Sequence, residues 1–455
     1  MDRQGALATG YATAITDAGH LSGGTNASWA LLALSRPDKA KLADYYYRAI
    51  HQVTAAGKQL TQGFYGRAVE AAYLDGCSNG GRQALVEATR FPGDYDGIIA
   101  GDPFFEIRSV IGADRQAAAF ARDLHPGGPA AHGGCRGRRE LRQNGRVDDG
   151  LIQNPAVCAF DPYSLVCKPG QDVGCLSTGQ ADTLNACCTA TRNTFGSLVY
   201  PGFSVSNLAT SSTGPLTGGG ANVWSTGLLP SADVNAAEPW GNAGFSPSPV
   251  GYQFGDHIIQ DIVTQEPTFN IRDYPVPSDG HTDDGALETF DARTDADAAT
   301  VPESYRRFIR RGGKLIIYHG YSDPALTPFR TTALRDQLAA IHGGYGALQS
   351  SVRLFMVPGM QHCIGGPGPN VFDTLTPLDA WVQEGTAPDS IPAAHFGNND
   401  PAQAAERTMP LCPYPTQATY DGAGNVNAAG SWSCMPNQQL LQVGPNGAQA
   451  GLAAP

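Results

Sequence analysis

The stretch "YLDGCSNGGRQAL", residues 73–85, places Ser78 between Gly76 and Gly80. Strand-forming residues run up to the serine, and a helix-forming run follows it. A chain that turns straight from a strand into a helix at a serine forms a nucleophile elbow, and glycines at the flanks remove the Cβ atoms that would block so tight a turn. In a chain with 56 glycines the bare G-x-S-x-G pattern arises by chance at a rate on the order of a few tenths per sequence. Its setting between a strand and a helix therefore makes Ser78 a candidate nucleophile. The alternative is one more serine in a glycine-rich turn.

Around this stretch, strand and helix signals alternate. "GYATAITD" is a short apolar run, "KLADYYYRAIHQVTAAGKQL" has helical periodicity, and "RAVEAAYLDG" returns to strand. The helix "GGRQALVEATRF" follows, and then the strand "YDGIIAGDP". Such alternation predicts a parallel sheet covered by helices. From about 116 to 300 the texture shifts to Gly, Ser, Pro and Asn, as in "SSTGPLTGGGANVWSTG", with short helices such as "GDHIIQDIVT". The rhythm resumes with "ESYRRFIRRGGKLIIYHG", "TTALRDQLAAI" and "VRLFMVPG". The expected architecture is an α/β-hydrolase core, residues 1–115 and 300–455, interrupted by a loop-rich lid at 116–299.

Bulk properties exclude several functions. With 455 residues and 41% hydrophobic content the chain can bury a large core. A net charge of −12 argues against a nucleic-acid partner, which needs a basic face to displace counterions. No run of about 18 apolar residues occurs, so no membrane span is expected. Ten cysteines, scattered and not in CxxC clusters, fit disulfides better than structural zinc and point to a secreted or periplasmic protein. The opening residues "MDRQGALATGYATA" do not read as a secretion signal.

A serine hydroxyl needs a histidine to take its proton and an acid to orient that histidine. In an α/β-hydrolase the acid and then the base follow the serine, each on a loop after a core strand. Asp323, in "KLIIYHGYSDPALTP", and His362, in "LFMVPGMQHC", meet that requirement. His319 is the nearest competing base, while His257 and His342 lie on expected helices and read as structural. Cys77 precedes Ser78, and Cys363 follows His362. A disulfide between them holds Cα atoms about 5.5–6 Å apart and would bring serine and histidine into hydrogen-bond range. The alternative is two buried thiols.

These residues resemble the tannase and feruloyl esterase family of secreted serine esterases. Its CS-D-HC signature appears as Cys77-Ser78, Asp323 and His362-Cys363, and the likeness runs from "GYATAITDAGHLSGGTNASWAL" to "LCPYP" near the C-terminus. The resemblance implies that Ser78 attacks an ester carbonyl, His362 shuttles the proton and Asp323 orients the histidine, with no cofactor in the chemistry. It places the Asn79 backbone N–H in the oxyanion hole. The second donor would come from a Gly-rich loop on an early strand, upstream of where this sequence begins. The implied substrate is a small ester of an aromatic acid, and Trp224, Trp240, Tyr252 and Phe254 are pocket candidates, although such aromatics more often form lid core. A general carboxylesterase and an inactive hydrolase-fold binding protein are the competing readings.

The family's lid calcium loop aligns with "ELRQNGRVDDG", leaving Asn144, Asp148 and Asp149 as candidate ligands for a structural Ca²⁺, with Glu140 and Leu141 where Cys and Asp are expected. That departure falls within residues 124–143, whose Pro, Gly, Ala, Arg and His bias suits a GC-rich gene read out of frame. The resemblance also pairs Cys158 with Cys135 or with none, Cys167 with Cys175, and Cys412 with Cys434, leaving Cys187 and Cys188 without partners.

Overall fold

The computed structural model describes residues 5–21, 26–105, 107–108, 149–158, 161–171, 175, 177–204, 206, 250–275, 281–295, 299–323 and 325–441. Four strands form its central sheet: β1 (Tyr73–Cys77), β2 (Gly97–Gly101), β3 (Lys314–Gly320) and β4 (Val352–Val357). They lie side by side in that order, all parallel, with Leu74 beside Ile98, Ile98 beside Leu315, and Leu315 beside Val352. Every residue of β2 and β4 is buried, which is why these segments read as near-continuous apolar runs, broken only by Arg353 in β4, and not as alternating ones.

Helices cover both faces. Helix α1 (Ala49–Tyr65) precedes β1; on one face, Ile98, Ile317 and Leu354 pack with Leu85 of helix α2 (Asn79–Arg90) and with Leu334 and Leu338 of helix α3 (Pro328–Ile341). On the other, Ile99, Ile316 and Phe355 meet Leu378 and Trp381 of helix α4 (Leu375–Gln383). Neighbouring residues of one strand thus serve opposite cores, as the twofold period of a strand dictates.

Between β2 and β3, which pair directly, the chain leaves the sheet. The excursion contains helix Thr178–Cys188, a small sheet of Thr191–Asn193, Leu198–Tyr200 and His281–Thr282, a helical run from Val250 to Thr264, and helix Asp284–Thr294. Its core, including Tyr200, Ile259 and Phe290, is not self-contained. Ala27, Ala30 and Tyr46 from the N-terminal part belong to the same cluster.

Other differences from the sequence reading have local causes. The short apolar run "GYATAITD", residues 10–17, forms no strand, although Tyr11 packs edge-on against Tyr73 of β1 at 6.0 Å. A short apolar run buries side chains in either conformation, so it does not specify which. The strand within "RAVEAAYLDG" begins only at Tyr73. After β4 the parallel pattern gives way to antiparallel sheets: Val371–Phe372, Ile391–Phe396 and Ala405–Leu411 form one, and the hairpin Thr416–Tyr420 with Trp432–Pro436 forms another.

Candidate active site

The elbow comes directly from the sequence at the end of β1. Ser78 has φ 63° and ψ −121°, a backbone region that costs a non-glycine residue of order 1–3 kcal/mol unless its surroundings fix it. Three main-chain bonds do so. Ser78 N–H donates to Gly101 O at 2.9 Å, and Ser78 O accepts from Arg82 N–H and Phe104 N–H, both at 3.0 Å. A Cβ on Gly76 would lie 2.4 Å from Gly80 O, so that position admits only glycine. On Gly80 a Cβ would meet nothing within 4 Å, whereas on Gly81 it would lie 2.5 Å from Gly101 O. The second sterically required glycine is therefore Gly81, one residue beyond the pattern.

Asn79 opens helix α2, so its N–H has no acceptor within the helix. Its side-chain oxygen accepts from Arg82 Nε at 2.8 Å. Arg82, buried at 3% exposure, reaches on to Tyr46 O at 3.2 Å and Tyr45 O at 2.7 Å, and its guanidinium lies 4.4 Å over the Tyr45 ring. Sequence reasoning gave Arg82 no role, yet it ties the elbow to the segment that shares the excursion's core.

Asp323 stands just past β3, and its carboxylate is fully used. Oδ1 accepts from Ala325 N–H at 2.8 Å and Leu326 N–H at 3.0 Å, and Oδ2 accepts from His362 Nδ1–H at 2.7 Å. Burial pushes the Asp323 acid up, but His362 and His319 outweigh it and hold the group well below the usual carboxylate range. With Nδ1–H committed to Asp323, His362 keeps its lone pair on Nε2, the tautomer a general base requires.

His362 lies on the loop after β4 and is closely supported. A Cβ on Gly320 would fall 2.3 Å from Met360 O, so the bare end of β3 lets that loop approach. Cys363 has φ 67° and is disulfide-bonded to Cys77, with Cα atoms 6.0 Å apart and a sequence separation of 286. The bridge joins the immediate neighbours of Ser78 and His362. Ser78, Asp323 and His362 thus lie on loops beyond the C-terminal ends of β1, β3 and β4, where open parallel sheets place their sites.

His319 is not exposed as a rival base: it is 1% exposed, with Nε2 3.3 Å from Asp323 Oδ2 and Nδ1 2.8 Å from Thr331 Oγ1. His257 pairs with Asp261 one turn on, at 3.2 Å, and His342 caps the end of α3 and is not part of it. Asp102 was missed. It directly follows β2 with φ 36°, is 0% exposed, and accepts from Gly320 N–H at 2.9 Å. An acid directly after a wholly apolar strand, in "GIIAGDP", was the available signal.

Of the expected calcium ligands, Asn144 and Asp148 lie outside the described residues, as does 124–143. Asp149 is turned toward protein cations and donors: Oδ1 accepts from Leu151 N–H at 3.0 Å, and Arg407 Nη1 is 4.0 Å from Oδ2. Trp224 and Trp240 also lie outside the described residues, and the Tyr252 side chain is not described. Phe254 stacks obliquely on Phe104 with ring centroids 6.4 Å apart, close to the elbow because Phe104 N–H bonds Ser78.

Cys167–Cys175 and Cys412–Cys434 are bonded, with Cα separations of 4.8 and 5.5 Å. Cys158 is also disulfide-bonded; Cys135 lies outside the described residues. Cys188 is a buried free thiol, pushed up to about 12 by burial. Among the described residues no helix is long and apolar enough to cross a membrane.

Residues 2–435 match the family described as tannase and feruloyl esterase. The chain is 32% identical to a mono(2-hydroxyethyl) terephthalate hydrolase of Piscinibacter sakaiensis, across 94% of its own length and 74% of that protein's. It is 26% identical to a probable feruloyl esterase B-2 of Aspergillus flavus, across 91% and 75%. Among solved structures it is similar to feruloyl esterase B from Aspergillus oryzae, with TM-score 0.69 and 22% identity over 87% of this chain and 75% of that one. It is also similar to tannin acyl hydrolase from Aspergillus niger, with TM-score 0.66 and 20% identity over 90% and 73%. A parallel sheet of this topology, sharing the fold of those esterases and matched to their family over nearly its whole length, places the chain in the tannase and feruloyl esterase family, as an α/β-hydrolase that cleaves carboxylic esters.

Proposed function

We propose that the protein hydrolyses esters of aromatic acids through an acyl-enzyme formed on Ser78. The observation that carries this reading is the short His362 Nδ1–Asp323 Oδ2 bond beside a disulfide that ties His362's neighbour to Ser78's. Ser78 Oγ adds to the ester carbonyl carbon while its proton passes to His362 Nε2, and Asp323 stabilises the imidazolium. The negative charge that gathers on the carbonyl oxygen is met by the Asn79 N–H at the start of α2. Collapse of the tetrahedral intermediate breaks the ester C–O bond, and the departing alcohol takes the proton from His362. Water then repeats the sequence on the acyl-serine, releasing the acid and restoring Ser78.

The aromatic acyl group is supported by the Phe104–Phe254 pair beside the elbow and by relatives named for feruloyl and terephthalate esters. The disulfides support an extracytoplasmic location, which fractionation of expressing cells would check. The deciding experiment compares kcat/KM for feruloyl, galloyl and hydroxybenzoyl esters with that for short alkyl esters, in the parent and in Ser78→Ala. Aromatic esters should be preferred, and Ser78→Ala should lose both turnover and labelling by a fluorophosphonate. Preference for alkyl acetates would sink the substrate reading, and labelling that survives Ser78→Ala would sink the nucleophile.

A further inference from the structure

Beside Asp323 lies a second buried acid and imidazole that the mechanism above does not use. His319 Nε2 is enclosed by three oxygens: Asp323 Oδ2 at 3.3 Å, Leu326 O at 3.3 Å and Asp102 Oδ1 at 3.7 Å. A lone pair there would face only acceptors, so Nε2 carries a hydrogen. On the far side of the ring Nδ1 meets the Thr331 hydroxyl of α3, which can donate or accept. Asp102 is held in turn. Its N–H donates to Tyr318 O at 2.8 Å and its Oδ1 accepts from Gly320 N–H at 2.9 Å, so it clamps both sides of the His319 peptide.

We propose that His319 and Asp102 are positioning residues for the esterase reaction: His319 Nε2–H supplies the second imidazole donor that fixes Asp323 Oδ2 toward His362, and Asp102 holds His319 and the end of β3 in place. The inference rests on the proposed roles of Ser78, Asp323 and His362. A lone buried carboxylate bonded on one oxygen by two backbone N–H groups can still tilt about that edge, and a second donor on the other oxygen removes the freedom. Outer partners of this kind tune the geometry and basicity of the group they hold.

Charge bookkeeping supports the pairing. Asp102 is pushed up to about 7 by burial, and the imidazole of His319 is the main group that opposes this. The groups that face the pair are Asp323 from the end of β3, His362 from the loop after β4, and the Thr331 hydroxyl from α3. The nearest sulfur, Cys77 Sγ at 3.7 Å from Asp102 Oδ2, is locked in the disulfide and does not titrate.

Three variants test this. His319→Leu fills the volume without a donor, His319→Gln puts an amide N–H near the position of Nε2–H, and Asp102→Asn keeps an acceptor for Gly320 without the charge. His319→Leu should lower kcat roughly 10–100-fold with KM within about twofold, in line with the loss of an outer partner, and His319→Gln should recover most of it. Asp102→Asn should move the acid limb of kcat/KM to lower pH, because losing a nearby negative charge weakens proton binding by the cluster. A merely structural role would scale activity without moving that limb. Wild-type kcat in His319→Leu, equal impairment in a folded His319→Gln, or an unmoved limb in Asp102→Asn would each overturn the proposal. Should His319→Leu fail to fold, the other two variants decide. Activity that depends on Ser78 but not on His319 would defeat this inference alone, whereas activity surviving Ser78→Ala would defeat the reading on which it rests.

Discussion

Two disulfides in this molecule do different jobs, although their covalent chemistry is the same. Cys412–Cys434 spans 22 residues and staples a hairpin whose strands already pair, with Ala418 opposite Cys434. Cys77–Cys363 spans 286 residues and joins the last residue of β1 to the loop after β4, a strand that is not its neighbour in the sheet. In the chain-entropy account the two loops correspond to about 3 and about 5–6 kcal/mol, as upper values. The backbone around them differs as well. Ser78, Asp102 and Cys363 take positive φ at the sheet end, while from 412 to 436 only Gly422 and Gly424 do so. Strain is concentrated where a long-range bond, buried strand ends and main-chain hydrogen bonds over-determine the conformation.

The comparison can be broken most decisively at the acid. Asp323→Asn leaves the bridge and the strand ends intact but cannot hold the required His362 tautomer, so kcat should fall roughly 10⁴-fold, with a lower melting temperature because the ionised carboxylate held by His362 and His319 is lost. Retained turnover would show that the bridge gathers residues with no catalytic relation. The Cys77→Ser/Cys363→Ser double variant comes next: kcat should fall at least about tenfold from lost alignment, and a thermal melt should show a clear drop. Cys412→Ser/Cys434→Ser should instead lower the melting temperature by a few degrees and leave kcat within about twofold.

The elbow sharpens the contrast at single-atom resolution. Gly81→Ala should destabilise the protein strongly and reduce soluble yield, because its Cβ meets the Gly101 carbonyl, whereas Gly80→Ala meets open space and should melt within a couple of degrees of the parent. If both behave alike, the elbow is looser than its contacts indicate. An effect visible only across pH belongs to Glu87, farther along α2. Burial, and then the Asp94 charge, push its acid up to about 9. A folded-state value above the unfolded one means that its stabilising contribution is complete below about pH 4.5 and is lost as pH rises toward 9. Denaturant midpoints should therefore decline from pH 5 to pH 9 more in the parent than in Glu87→Gln.

How much of this was legible follows from which interactions are local. The elbow could be read because the strand, the turn and α2 occupy consecutive residues, and the acid and base because each directly follows a buried strand. Cys77 and Cys363 could be matched because each adjoins a candidate catalytic residue. Gly81, Asp102 and Arg82 could not be assigned. What they do depends on Gly101 O, Gly320 N–H and the carbonyls of Tyr45 and Tyr46, which no spacing rule connects to them. The core shared by Ala30, Tyr46 and the excursion after β2 was hidden for the same reason, since apolar periodicity marks a buried face without naming its partner.

By itself the sequence determined the parallel sheet and which side chains are candidates for ester chemistry, because strand period, turn sterics and strand-end position are properties of short segments. Tertiary structure alone decided that Asp323 would be held by His319 as well as His362, and which glycine the elbow cannot do without. Those outcomes depend on atoms that meet only after segments hundreds of residues apart are packed against one another, with buried polar groups left to find whichever donors the fold supplies.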